Sequence, residues 1–431
     1  MQLNKKYYKN IKETVYSTTL KNGLKVFLIP KVDYSETAAV FATKFGSLES
    51  NATLVHNNKS IKGKLGVAHF LEHRMFDNPK GPVFDLFSKL GAISNAFTSF
   101  DKTAYYFVTS EKLEANVELL LDFVQGLEIK PESVEKEKGI IIEELKMYHD
   151  MPDSRLGQGI LENLYKNHPV KFDIGGTIEE VSSTSLEVLK ACHQTFYHPK
   201  NMVLVVVGKM NIKSLIKTIE KNQNNKKFNA RLTPVLPKIK EPSSVTKKYH
   251  EIKMPISTTK LAIGYKLKPI DHLTPAKQNK RLIEYSIYQD LLFDQSTSFY
   301  QQLVKDKVIT PSLDAQSFQG QGYNSLILEA EVLAQEKLIK AVDNRIQNTD
   351  LSKLKAEFAI IKNMHLGDAI RSFESPQRLA INYMSNYFDG VNVFEDIEAI
   401  KKITLEDIIK VSAEVKKASK TVFAIKPKER N

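Results

Sequence analysis

One short stretch of the chain carries residue types that do chemistry at a meaningful spacing: Gly66-Val67-Ala68-His69-Phe70-Leu71-Glu72-His73-Arg74-Met75-Phe76. On a helix, His69 and His73 stand one turn apart, so both imidazoles can reach a single metal ion. Glu72 falls beside His73 on the same side, placed to take a proton from a water at that metal. A surface helix with two solvated histidines and a charge pair is the competing account. Two histidines are also one ligand short, because a catalytic zinc usually takes three protein ligands and leaves a fourth position open.

A downstream segment, Glu132 to Tyr148, offers the missing carboxylate on a second helix. Glu137 and Glu144 are seven residues apart and therefore share a face, which is expected to carry Ile140 and Ile141 as well. Two carboxylates on an apolar stripe are costly unless a metal or its ligating histidines pair with them. Glu143 points about 100° away on the helical wheel and reads as solvent-exposed.

With both helices in place, the chain resembles the pitrilysin/insulinase family of zinc peptidases, whose H-x-x-E-H signature marks the inverzincins. The motif helix, the later E-x6-E pair and the spacing between them carry the likeness. The resemblance implies that His69, His73 and Glu144 ligate one Zn2+ per chain. It further implies that Glu72 is the general base and that Glu137 orients a ligand. Gly91 to Thr98, followed by Thr103-Ala104-Tyr105, looks like the family's substrate-binding edge strand, with Asn95 and Ala96 as the residues a peptide would meet. Phe196-Tyr197-His198-Pro199-Lys200-Asn201-Met202 is similar to a further family segment.

One departure from the family pattern bears on activity. Active members carry an Arg and a Tyr in the second half that bind the substrate carbonyl. In the stretch Gln302 to Pro311 of this chain, Lys305 stands at the Arg position and Pro311 at or near the Tyr. The resemblance therefore implies a zinc-bearing subunit whose homologous partner supplies the Arg/Tyr pair, or otherwise a homodimer. A non-catalytic scaffold or assembly subunit that keeps the fold is the rival reading.

The elements that would position these residues are written twice. Thr184-Ser185-Leu186-Glu187 reads as a capping box opening a helix, and Thr404-Leu405-Glu406-Asp407 reads the same way 220 residues later. The same shift lays Lys200 to Val205 on Lys420 to Ile425, a β-branched strand in both places. Earlier strand patterns at 24–29 and 38–42 find a counterpart at 260–265, and helical patterns run over 113–125 and 276–293. The fold class expected is α+β: two similar domains from an internal duplication, each an antiparallel sheet with helices packed mainly on one face. The domains fall at 1–220, for the N-terminal metal-binding one, and 251–431, for a C-terminal repeat without a metal site. A Lys-, Asn- and Pro-rich linker spans 221–250.

Composition removes several alternatives. The 431 residues are 42% hydrophobic and 26% charged, enough for two sizeable cores. No apolar run approaches the roughly 20 residues of a membrane span. The net charge of +12 invites a nucleic-acid reading, yet only 8 of the 62 basic residues are Arg, Trp is absent, and no phosphate-cradling loop is present. No nucleic-acid partner is expected; a peptide substrate is. The polar N-terminus and the single Cys192 point to a cytoplasmic, reducing setting. Cys192 itself reads as core, Gly175-Gly176 as a turn, and His149, five residues past Glu144 and able to approach the site, as a surface residue; His365 has no partner at ligand spacing.

Overall fold

The computed structural model describes residues 3–56, 59–76 and 81–428. The chain forms two compact units: Met1–Leu145 with Asp173–Lys238 and Arg371–Phe394, and Lys146–Phe172 with Ile239–Ile370 and Glu395–Asn431.

The first unit is built on a seven-stranded sheet in the order Asn4–Tyr8, Glu13–Thr19, Lys25–Pro30, Met202–Gly208, Thr37–Thr43, Thr103–Thr109, Ala92–Thr98. All neighbours are antiparallel except Lys25–Pro30 with Met202–Gly208, which run parallel. The second unit holds a five-stranded sheet in the order Tyr249–Met254, Ser419–Pro427, Thr259–Lys266, Tyr323–Val332, Asp314–Gly320. Its single parallel pair is Tyr249–Met254 with Ser419–Pro427. The last five strands of the first sheet and the five of the second therefore share one order and one position for the parallel pair. This is the duplication expressed as topology.

Each unit borrows one helix from the other half of the sequence. Pro376–Phe388 lies on the strands Thr37–Thr43 and Met202–Gly208, and Pro152–Leu164 lies on Thr259–Lys266 and Ser419–Pro427. The expected domains at 1–220 and 251–431 took the halves as contiguous, whereas the folded units trade these segments. The physical reason shows in the strands. Thr37–Thr43 and Met202–Gly208 are buried at every position, so an apolar cover is required on both faces. Gly159 allows the close approach in the second unit, since a Cβ there would collide with the ring of Phe423. Helices still pack mainly on the other face, where Phe41, Leu204, Phe107 and Leu120 belong to one core.

The repeated capped helices are Leu186–Phe196 and Leu405–Val415. Thr404 makes the expected capping box with Asp407. In the first half the cap is Ser185 rather than Thr184, and no box forms. The Thr184 hydroxyl instead donates to Glu180 O, at the end of the preceding helical turn.

Candidate metal centre

The motif segment is a helix, Val67–Met75, and its sequence explains which way it faces. Val67, Ala68, Phe70, Leu71 and Met75 are buried, which turns His69, Glu72 and His73 together toward a half-buried side. The helix begins at Gly66 with φ +80, a conformation that favours glycine. A Cβ at Gly66 would strike the carbonyl oxygen of Gly175, so the Gly175-Gly176 turn packs directly under the start of the helix. Ser50 accepts from Ala68 N at 3.1 Å and so satisfies one of the helix's first amides.

The second helix, Pro131–Asp150, buries Val134 and Ile141. Glu137 and Glu144 complete a 134–137–141–144 stripe at helical spacing. Ile140 was expected on this face and is not there: it is 46% exposed. One residue of rotation turns it 100° from Ile141. Glu143 is exposed, as expected.

Between the two helices the charged groups converge. His69, Glu72 and His73 each offer a ligand atom, and these atoms lie within 4.8 Å of one another. Glu144 Oε2 is 3.4 Å from His73 Nε2, and its Oε1 is 3.9 Å from His69 Nε2. Glu137 Oε1 is 3.0 Å from His73 Nδ1. A carboxylate can only accept, so Nδ1 carries a hydrogen, and Nε2 is the nitrogen that faces Glu144. Burial, reinforced by the neighbouring His73, pushes His69 down to about 4, leaving it a neutral imidazole at neutral pH. Burial would lower His73 too, but the hydrogen bond it donates to Glu137 and the charges of Glu72, Glu144 and Glu137 outweigh it and raise it. Glu72 is raised by burial, against the opposing effects of His73 and a hydrogen bond from Thr98 Oγ1 at 3.2 Å.

This donor set fits a divalent cation. Three partly buried carboxylates and two imidazoles face one another across the two helices. Two imidazole nitrogens and one carboxylate are the ligand types that suit zinc.

Two sequence profiles match the chain: Insulinase (Peptidase family M16) over residues 58–178, and Peptidase M16 inactive domain over residues 183–364. The zinc protease YmfH of Bacillus subtilis (strain 168) is 33% identical over 426 residues, covering 98% of either chain. This chain belongs to the insulinase family. The zinc protease PqqE of Helicobacter pylori, 27% identical, covers 95% of this chain and is itself 92% covered. An M16-like peptidase from Alicyclobacillus acidocaldarius has the same fold, with a TM-score of 0.89 at 28% identity, over 96% of this chain and 99% of that one. Zinc is the metal these relatives' names imply for the insulinase-type site.

Several residues around the site gave no strong signal in the sequence. Arg74 is only 4% exposed; its Nη1 donates to Glu137 Oε2 at 3.2 Å and its Nη2 to Ser133 Oγ at 3.1 Å. Its position directly after the motif was visible, but its partners lie 59 and 63 residues away. Tyr105 and Tyr197 share a 2.8 Å hydroxyl contact; burial raises both phenols, and the nearby Glu72 charge adds to the rise. The expected substrate strand, Ala92–Thr98, is the sheet edge. At its end Thr98 bonds Glu72. Ala96 N donates to the neighbouring Asn95 Oδ1 at 2.8 Å. In the second unit, Lys305 ends the helix Ser298–Lys305 and is exposed, as is Pro311.

Proposed function

We propose that this chain is a zinc-dependent metalloendopeptidase, or the zinc-bearing catalytic subunit of a heterodimeric one. The observation that carries the reading is the convergence of His69 Nε2 and His73 Nε2 on the Glu144 carboxylate, with Glu72 beside them. In this reading His69, His73 and Glu144 hold one zinc. When bound, that zinc supplies Lewis acidity toward a peptide carbonyl and makes its water acidic.

The chain's own residues supply the rest. Burial keeps His69 unprotonated, so that ring need shed no proton to bind, and Glu137 holds His73 through Nδ1, leaving Nε2 as its ligating atom. Glu72 is the base: its raised affinity for a proton suits it to take one from water and return it to the leaving amine. Thr98 engages one Glu72 oxygen, fixing the direction of the other. The exposed edge Ala92–Thr98 can accept an extended peptide by strand addition, which reads backbone and only loosely reads side chains.

The test is Glu72→Gln in the purified chain, alone and mixed with a homologous subunit from the same cells. Zinc content should stay near that of wild type while cleavage falls by about 10²–10⁴-fold. Zinc retention with undiminished cleavage would refute the role of Glu72. A second reading, a scaffold subunit, draws on Lys305 and Pro311 standing where active relatives place Arg and Tyr. It predicts no cleavage by the wild-type chain with any homologous subunit. Activity confined to the mixture would assign the missing carbonyl-binding pair to the partner.

A further inference from the structure

The second unit contains a cavity of about 1150 Å³ that has no part in the metal centre. Its wall is largely apolar and aromatic, with Leu267, Ile270, Leu273, Tyr165, Tyr285 and Tyr323. The charged residues around it do not cancel. Lys266 is consumed inside the fold: its Nζ is 2.6 Å from Glu241 and also donates to the carbonyl oxygens of Leu164 and Ser244. Arg281 is paired with Glu284 at 2.7 Å and with Glu414. Lys410 lies 3.8 Å from Asp407. All three carboxylates that line the cavity, Glu241, Glu284 and Glu414, are thereby spent on these buried or half-buried cations.

What remains is three exposed lysines from three separate elements. Lys268 follows the strand Thr259–Lys266, Lys277 lies in the first turn of the helix Pro275–Phe293, and Lys417 follows the helix Leu405–Val415. None has a carboxylate partner among the described residues. Asn324 braces this rim from inside, donating to Lys268 O at 2.9 Å and thereby holding the lysine's backbone at the mouth. Three like charges around one apolar opening repel one another, and an anion seated among them removes that penalty. A concave apolar wall with a few charges at its edge is the ordinary construction of a small-molecule site.

We propose that this cavity binds an organic anion with an apolar body, the head group held by Lys268, Lys277 and Lys417 and the body against the tyrosine and leucine wall. The proposal is independent of the peptidase reading, since no residue of the metal centre lines the cavity.

The probe is 8-anilinonaphthalene-1-sulfonate, followed by its fluorescence with the full chain; the chain has no Trp, so background emission is low. Saturable binding of one dye per chain is expected, with displacement by octyl sulfate but not by inorganic sulfate at equal concentration. Combined Lys268→Glu, Lys277→Glu and Lys417→Glu should weaken the dye about tenfold or more. The same reversals at Lys213, Lys217 and Lys221, on the helix Ile212–Asn224 of the first unit, should leave binding within about twofold. Ala413→Phe, which adds bulk to the wall without changing charge, should also weaken it. The proposal is overturned if the rim reversals act no more strongly than the control set, if inorganic sulfate displaces as well as octyl sulfate, or if no saturable binding occurs.

Discussion

The two units build the same five-strand order and then do opposite things with it. In the first, the helix that comes between Thr37–Thr43 and the edge pair in the chain, Val67–Met75, presents two histidines and a glutamate. In the second, the corresponding helix Pro275–Phe293 buries Tyr285, Ile287, Tyr288, Leu291 and Leu292, and its charges are settled locally. Glu284 pairs with Lys280 and Arg281, and Asp290 with His365 at 2.7 Å. The long helices Pro131–Asp150 and Lys355–Arg371 differ likewise. Six residues into the first stands Glu137, bound to His73 and Arg74; six residues into the second stands Ile361, part of the core. The lesson is that the scaffold tolerates a carboxylate at this depth only where a cation or imidazole meets it.

The sharpest way to break the comparison is to move the carboxylate. Ile361→Glu should destabilise the protein by about 3 kcal/mol or more, read as a fall in urea midpoint, because nothing in the second unit's core would pair with it. If the variant were as stable as wild type, the two helices would not differ in the way argued.

Arg74 sharpens the comparison from the other side. Arg74→Met leaves Glu137 with His73 alone and should weaken zinc about 10–100-fold in chelator competition. Arg74→Lys should recover part of that loss, because one charge returns without the two-pronged geometry. Equal affinity for wild type and Met variant would mean that Glu137 needs no second partner.

By contrast, the half-buried His365–Asp290 pair has no metal to serve. Asp290→Asn should cost at most about 1 kcal/mol and leave zinc content unchanged. A loss of zinc in that variant would show that the second unit contributes to metal retention.

A further expected effect is a pH dependence confined to the first unit. Burial, with help from Asp101, lifts Glu49 from its ordinary 4.5 to about 7. The folded state therefore holds this proton more tightly than the unfolded chain. The associated stability is fully present below about pH 4.5 and declines until about pH 7. Glu49→Gln keeps an oxygen for Gly46 N and removes the titration, so its Tm should gain on wild type by roughly 2–4 °C between pH 5 and pH 8. A constant difference across that range would exclude Glu49 as the titrating group.

Local patterns were the legible part. His69, Glu72 and His73 could be read together because helical periodicity operates over four residues. Glu137 and Glu144 could be paired because seven residues make two turns. The duplication was legible because the Thr404 cap and the two β-branched strands repeat at a constant shift. Legibility failed where a side chain had two equally local choices. Thr184 and Ser185 can each cap a helix; the Thr184 hydroxyl goes to the Glu180 carbonyl, which also accepts from Ser183, and Ser185 is left as the cap.

By itself, then, the sequence determined a metal-competent helix, a carboxylate stripe to face it, and a fold made from two copies of one plan. Tertiary structure alone decided that Arg74 holds Glu137 while Glu137 holds His73. It also decided that Thr98 touches Glu72, and that Pro152–Leu164 and Pro376–Phe388 each cover the other half's sheet. The reason is range. Periodicity constrains neighbours within two turns, whereas these contacts join residues tens to hundreds of positions apart and are chosen by which buried surfaces and charges would otherwise go unmatched.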